Sequence, residues 1–217
     1  MKGYTSETIR NVALLGHGGC GKTTFLEAAL LATGVTNRMG RVEDGNTVSD
    51  YDKMEIERGY SINTSVVPIL WKENKINFID TPGYFDFVGE VNAALRAAEA
   101  AVIMVDAGSG IQVGTEAAWK ACERYKTPRF IVINKRDKDE FDFYKTFDEL
   151  KAKFGNKLIP LSWPLSAEID EELKEAIAMA DEELMDKYFE GEDFTEEEIL
   201  NGLKKGIADG NIVPVCS

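Results

Sequence analysis

The sequence predicts an α/β fold: a mostly parallel sheet with helices on both faces, plus a small acidic helical insert. Three observations predict it. Short apolar runs alternate with helix-periodic segments from residue 11 to about 161, the pattern of strands joined by crossover helices. A glycine-rich turn, Gly16-His17-Gly18-Gly19-Cys20-Gly21-Lys22-Thr23, separates the first apolar run from the first helical stretch. The negative charge is confined: residues 168–198 carry 15 acids against Lys174 and Lys187, which accounts for the whole net charge of −13. The rest of the chain is neutral and presents no large repulsive field to an anion.

Each element follows in order. Residues 11–15 are apolar and suit a buried strand; 24–31 read as a helix. Residues 34–60 are polar, glycine-punctuated and weakly periodic, a long loop of the kind that carries function. Residues 61–71 read as a strand, with Pro68 placing it at an edge or a strand end. A strand at 75–80 is stopped by Thr81-Pro82-Gly83. Then come a helix over 88–100, a buried strand over 101–106, a helix over 113–125, a strand over 129–134, a helix over 141–154 and a strand over 157–161. Beyond residue 163 the pattern changes to two acidic helices, roughly 168–190 and 195–207, and a short strand at 212–215. Residues 1–163 therefore read as the main domain and 164–217 as an acidic subdomain.

Composition narrows the function classes. The 44% hydrophobic content supports a core, and no stretch approaches the roughly 18 apolar residues of a membrane span. The first residues lead into no apolar signal region, and the three cysteines, Cys20, Cys122 and Cys216, are scattered. Both features fit a reducing cytoplasm rather than export or a disulfide framework. His17 is the single histidine, which excludes a histidine-rich metal centre.

Three motifs carry chemistry. Gly16 to Thr23 fits G-x-x-x-x-G-K-[ST], in which backbone N–H groups turn inward around a polyphosphate. Lys22 reaches the β and γ phosphates, the Thr23 hydroxyl ligates Mg²⁺, and Thr24 opens a helix whose N-terminus favours anions. Asp80-Thr81-Pro82-Gly83 ends a strand 58 residues after Lys22. Asp80 holds the Mg²⁺ shell through water, and Gly83 offers its N–H to the γ-phosphate and senses its loss. Asn134-Lys135-Arg136-Asp137 ends another strand. This N-K-x-D pattern selects guanine: the Asp137 carboxylate accepts from N1–H and the 2-amino group, which adenine cannot match, and Lys135 covers the ring face with its stem. The candidate nucleotide-binding set is His17, Gly18, Gly19, Cys20, Gly21, Lys22, Thr23, Thr24, Asn134, Lys135 and Asp137, with GTP or GDP as ligand.

With these motifs the chain resembles the translational GTPases, specifically the G domain of the elongation factor G family. The resemblance covers essentially all residues. It rests on the three motifs, on Glu57-Arg58-Gly59-Tyr60-Ser61-Ile62 and on Asp80-Thr81-Pro82-Gly83-Tyr84-Phe85-Asp86-Phe87. Gly108-Ser109-Gly110-Ile111-Gln112-Val113 and Met185-Asp186-Lys187-Tyr188-Phe189-Glu190-Gly191-Glu192 add to it. It implies a P-loop NTPase of the Ras-like G-domain type that hydrolyses GTP to GDP and phosphate on the ribosome. Loop 34–62 is then switch I and 81–90 switch II, ordered by the γ-phosphate. It implies that Ser61 ligates Mg²⁺ beside Thr23 and Asp80, with Lys22, Gly83 and Tyr84 as the catalytic set. The partners implied are the ribosomal stalk protein and large-subunit RNA; the state expected is a cytoplasmic monomer. The acidic helices resemble the inserted G-prime subdomain, shortened here. They are either a stalk-docking face or a solvated charged surface.

The departures from the family pattern cluster. Tyr84 stands where the family usually has the histidine that positions the attacking water, and tyrosine, with a pKa of about 10, is a poor base at neutral pH. Gly18 replaces an apolar gate residue, Gly19 an acid, and Tyr60 the opposing isoleucine. The expectation is that Tyr60 and Tyr84 rebuild the pocket, that Gly18 makes room for a ring, and that hydrolysis by the isolated domain is slow. These departures resemble the divergent elongation factor G-2 type. The family's S-A-x guanine-contacting motif is expected shortly after residues 213–217. Ser166-Ala167 imitates it but reads better as the entry to the insert. Two alternatives stay open: a nucleotide-dependent ribosome-binding module with little hydrolysis, and a ribosomal protection-type GTPase. A P-loop ATPase or kinase is disfavoured by Asn134 to Asp137.

Overall fold

On β1 (Ile9–Gly16), Ala13 and Leu15 join one apolar cluster and Leu14 another, so successive side chains face opposite layers. All three are fully buried, which places β1 in the interior of the sheet. The computed structural model describes residues 3–137, 142–161 and 171–217. After β1 come α1 (Lys22–Ala32), the short α2 (Lys53–Arg58), β2 (Ser65–Trp71), β3 (Asn74–Asp80), a 3₁₀ turn (Phe85–Phe87), α3 (Val88–Ala97), β4 (Ala100–Asp106) and α4 (Val113–Tyr125). Then follow β5 (Arg129–Asn134), α5 (Phe143–Phe154), β6 (Leu158–Pro160), α6 (Glu171–Ala178), α7 (Glu182–Glu190), α8 (Glu196–Ala208) and β7 (Val213–Cys216).

The strands form one sheet in the order β2-β3-β1-β4-β5-β7-β6. Every pairing is parallel except β2 with β3, a hairpin at the edge. Pro68 sits on β2, the edge strand, where an absent N–H costs no ladder bond. One face packs against α3, α4 and α5 through Leu95, Trp119, Phe147 and Leu150. The opposite face receives Leu26 and Leu30 of α1 against Leu14, Val67 and Ile69. At β6 the alternation repeats: Leu158 enters the first layer, and Ile159 packs with Leu173, Ile177, Leu184, Ile199 and Leu203 of the acidic helices. The acidic helices therefore cover the same side of the sheet as α1.

Four differences from the sequence reading have physical causes. The strand expected from 61 begins at Ser65, because the N–H groups of Ile62 and Asn63 donate to the Glu55 carboxylate and that of Thr64 to Glu90. The loop expected over 34–60 contains α2. Asp52 caps it by accepting from Met54 N, Glu55 reaches back to Asp52 N, and Gly59 at φ 69° ends it. The single acidic helix expected to 190 is two, because Asp181 accepts from Glu183 N and starts α7 afresh. The strand grouped with the acidic subdomain, β7, lies inside the main sheet between β5 and β6, with Val213 and Val215 fully buried. The expected division at residue 163 and the Ser166-Ala167 pair lie outside the described residues.

Shortening the chain to end at Asp209 removes β7, opens the β5 edge and deprives β6 of its strand partner. Its melting transition, followed by circular dichroism, is expected to fall by more than about 10 °C or lose cooperativity. Phe189→Ala, at a highly exposed position on α7, is expected to leave it within about 2 °C. A shortened chain that melts like the parent contradicts this sheet order.

Candidate functional site

Parallel register brings the motifs together. Leu14 pairs with Asp80, Gly16 with Met104, and Asp106 with Asn134, so every motif begins at a carboxyl-terminal strand end along one edge. In open α/β sheets that edge is where ligands bind. The phosphate loop leaves β1 and closes at Gly21, the N-cap of α1, with φ 97°. The Asn134 side-chain amide occupies the space a Cβ at Gly21 would need. Its Nδ2 donates to the Cys20 carbonyl at 3.0 Å. Asn134 thus buttresses the phosphate loop from below.

Lys22 is buried, and its Nζ donates to the carbonyls of Gly16 and His17, each at 3.1 Å. A cation is thereby held at the centre of the loop. Gly83 stands against it: a Cβ at Gly83 would lie 2.5 Å from Lys22 Nζ and 2.7 Å from the Gly18 nitrogen. Only a residue without a side chain lets switch II approach the loop this closely. The start of switch II is anchored by Thr81, whose Oγ1 donates to the Leu14 carbonyl at 2.6 Å.

An oxygen cluster lies beside Lys22. Thr23 Oγ1 donates to Asp80 Oδ2 at 3.1 Å, and the buried Ser49 hydroxyl also pulls on this carboxylate, although neither Asp80 Oδ1 nor Ser49 Oγ makes a well-formed hydrogen bond among the described residues. Burial pushes the Asp80 carboxyl up to about 6, against the opposing pull of Lys22. Asp50 from loop 34–64 joins this cluster. Its Oδ2 is likewise buried without a hydrogen bond among the described residues, and burial raises its pKa against the pull of the Ser61 hydroxyl. The motif reading missed Asp50, since nothing in the loop's spacing separates it from its solvated neighbours. Unpaired carboxylate oxygens next to two hydroxyls make an all-oxygen donor set, which fits a hard divalent cation. No group of three or more His, Cys, Asp or Glu converges on one point among the described residues. That suits Mg²⁺, which takes one or two protein oxygens and completes its shell from phosphate and water.

The residues that depart from the family pattern meet here. A Cβ at Gly18 would sit 3.1 Å from Tyr84 Cζ, so the tyrosine ring lies directly on the glycine. Tyr60 packs on Tyr84 with centroids 4.7 Å apart at 60°, and the Tyr60 hydroxyl accepts from Arg58 at 3.0 Å. Both rings line a cleft of about 280 Å³ with Gly18, Lys22, Thr23 and Lys135. Gly19 and Thr24 line it too.

The base-recognition motif is partly assembled. Lys135 adopts φ 63° and its Nζ forms a 2.6 Å ion pair with Asp106, holding its stem along the cleft. Asp106 is a positioning residue that motif reading did not single out. Asp137 is exposed and does not line the cleft. His17 contributes its main chain to the loop, but its imidazole turns away: Nδ1 accepts from Gly114 N at the start of α4, at 3.3 Å.

Asp80 gives a pH prediction. Its folded pKa, about 6, lies above the ordinary 3.8. Proton uptake therefore favours the folded state below pH 3.8, and this stabilisation is lost as pH rises through 6. Asp80→Asn is expected to stabilise the nucleotide-free chain by on the order of 2 kcal/mol at about pH 7.5. The gain is expected to vanish below about pH 4. Denaturant melts at both pH values check it, and an equal effect at both overturns the assignment.

Comparison with known proteins agrees with this geometry. Residues 7–217 match the family described as the elongation factor Tu GTP binding domain. A protein named elongation factor G from Granulibacter bethesdensis is 36% identical over an alignment of 250 residues, covering 96% of this chain and 36% of that protein. A crystal structure of a Thermus thermophilus protein superposes with a TM-score of 0.87 at 35% identity, covering 97% of this chain and 37% of that one. The chain thus spans little more than a third of either relative's length. Phosphate loop, switch segments and guanine motif lie at one edge of a G-domain sheet, and the chain belongs to the elongation factor Tu GTP-binding domain family.

Proposed function

We propose that this chain is the GTP-hydrolysing domain of an elongation factor G-like protein acting on the ribosome, of the divergent elongation factor G-2 type. The observation that carries it is the contact of Gly83 with Lys22 and the phosphate loop. It supports the reading because the main chain at Gly83 lies against Lys22 and Gly18 of the phosphate loop. In this reading Lys22 neutralises charge on the β and γ phosphates, Gly83 N–H reports the γ-phosphate, and Asn134, Lys135 and Asp137 select guanine. Thr23 and Ser61, with Asp80 and Asp50, would hold Mg²⁺, which would supply further charge neutralisation when bound. Tyr84, resting on Gly18 and under Tyr60, orients the attacking water by hydrogen bonding, without acting as a base.

The subgroup reading is supported by the shared pocket of Gly18, Tyr60 and Tyr84. The alignment with the Granulibacter protein runs over 250 residues against a chain of 217, so within the aligned span that protein has residues this chain lacks. This supports a shortened G-prime insert. We assign residues 1–163 to the GTP-binding unit and 164–217 to that insert together with the strand that returns to the sheet. The partners are the stalk protein and large-subunit RNA, met by a cytoplasmic monomer. No helix among the described residues is long and apolar enough to cross a membrane.

Phosphate release measured in single turnover, with and without ribosomes, tests the reading. Slow release that ribosomes accelerate supports it. Ribosome binding without any release favours a nucleotide-dependent binding module instead. Tyr84→Phe is expected to slow release about 10-fold or more through loss of the phenol. Tyr84→His is expected to retain or raise the rate; no change in either variant removes Tyr84 from the chemistry.

A further inference from the structure

Loop 34–64 crosses the site with little regular structure besides α2, and acids from other elements hold its main chain. Glu27, on α1, is 1% exposed. Its Oε2 accepts from Gly40 N at 2.8 Å and its Oε1 from Val48 N at 2.6 Å. Two donors eight residues apart are thus drawn onto one carboxylate. A Cβ at Gly40 would lie 2.7 Å from both Glu27 Oε2 and the Asn46 main-chain carbonyl oxygen, so the fit tolerates no side chain there. Val48 is two residues from Asp50, the carboxylate that lines the cleft with Thr23 and whose charge is felt at Asp80. The charge of Glu27 is felt at Asp50, where it adds to the upward push on the carboxyl.

The geometry points to Glu27 as a positioning residue. Its carboxylate clasps loop 40–48 to α1, holds Asp50 within reach of Thr23 and Asp80, and so makes retention of a divalent cation depend on the order of this loop. The cation half of this inference rests on reading the site as one for a magnesium nucleotide; the clasp does not. The energetic logic is that of a buried acceptor. Hydrogen bonds to a charged group are stronger than neutral ones, and a buried carboxylate needs them. The same element that opens with Lys22 and Thr23 therefore also pins the loop that completes the site. An acid that served the core alone would fail differently: its replacement would lower thermal stability and nucleotide affinity together.

The test uses the full chain and three variants, Glu27→Gln, Glu27→Asp and Gly40→Ala. Arg38 and Arg41 are exposed in the clasped loop, so trypsin reports its docking. Without nucleotide, all three variants are expected to be cut there about tenfold faster than the parent, with the thermal transition retained. Unchanged cleavage in all three overturns the clasp, as does faster cleavage that appears only with general unfolding. In a second arm, fluorescent GDP is titrated with Mg²⁺. Asp keeps the charge but falls one methylene short, so equal rises in the Mg²⁺ requirement of the Asp and Gln variants support positioning. A rise in Gln alone assigns the effect to charge and overturns it. A parent chain with no Mg²⁺-dependent nucleotide binding sinks the functional reading, while the cleavage arm still decides the clasp.

Discussion

A carboxylate sealed from water is costly to build, and the site is arranged around one. Asp80 accepts from Thr23 through Oδ2 and feels the Ser49 hydroxyl, yet its Oδ1 makes no well-formed hydrogen bond among the described residues. An isolated buried charge costs several kcal/mol, so such a group persists only where the surroundings hold it and something compensates when the site is in use. The surroundings are specific. Parallel pairing fixes Asp80 opposite Leu14, Thr81 is tethered to the Leu14 carbonyl, and Thr23 is fixed by the first turn of α1. Lys22 supplies the nearest cation, but its own hydrogens go to loop carbonyls. The result is a site under electrostatic tension, which a divalent cation with a polyphosphate would relieve.

The loop over this carboxylate is held by the same chemistry in reverse. There, carboxylates accept main-chain N–H groups: Glu27 takes two, Glu55 takes those of Ile62 and Asn63, and Glu90 takes that of Thr64. These groups would otherwise need a sheet partner or water. Glu90 lies on α3, at the end of segment 81–90, so the exit of loop 34–62 is tied to that segment. The link is one hydrogen bond at 2.9 Å, from Thr64 N, just beyond loop 34–62, to Glu90.

Most of the frame was legible because it follows from local periodicity. Helix Val113–Tyr125 and strand Arg129–Asn134 fall where the apolar pattern puts them. Lys22, Thr23, Gly83 and Asn134 converge because their motifs sit at strand ends, which a parallel sheet brings to one edge. What stayed illegible depends on contacts distant in sequence. Asp50 and Glu27 look like any polar loop or helix residue until the fold buries them. The Asp52–Glu55 capping box was readable, but six helical residues are too few to outweigh a polar, glycine-punctuated context. The orientation of the His17 imidazole is set by Gly114, almost a hundred residues away.

The position of β7 constrains how the chain reaches this state. β6 is made before the acidic helices, yet its strand partner, β7, comes after them, and β7 must enter between β5 and β6. During synthesis β6 has nothing to pair with until more than fifty further residues have emerged. The edge of β5, which ends earlier in the chain, stays open for longer still. Helices α6 to α8 close on local contacts, which form quickly, whereas the β5–β7 and β6–β7 ladders join distant segments, which form slowly. A chain that folded in the order of its synthesis would first hold a five-stranded sheet, β2-β3-β1-β4-β5, with an open parallel edge, the kind of surface that invites wrong partners. A cell making this domain must therefore shelter that edge, or outpace its misuse, for as long as the ribosome takes to deliver the missing strand.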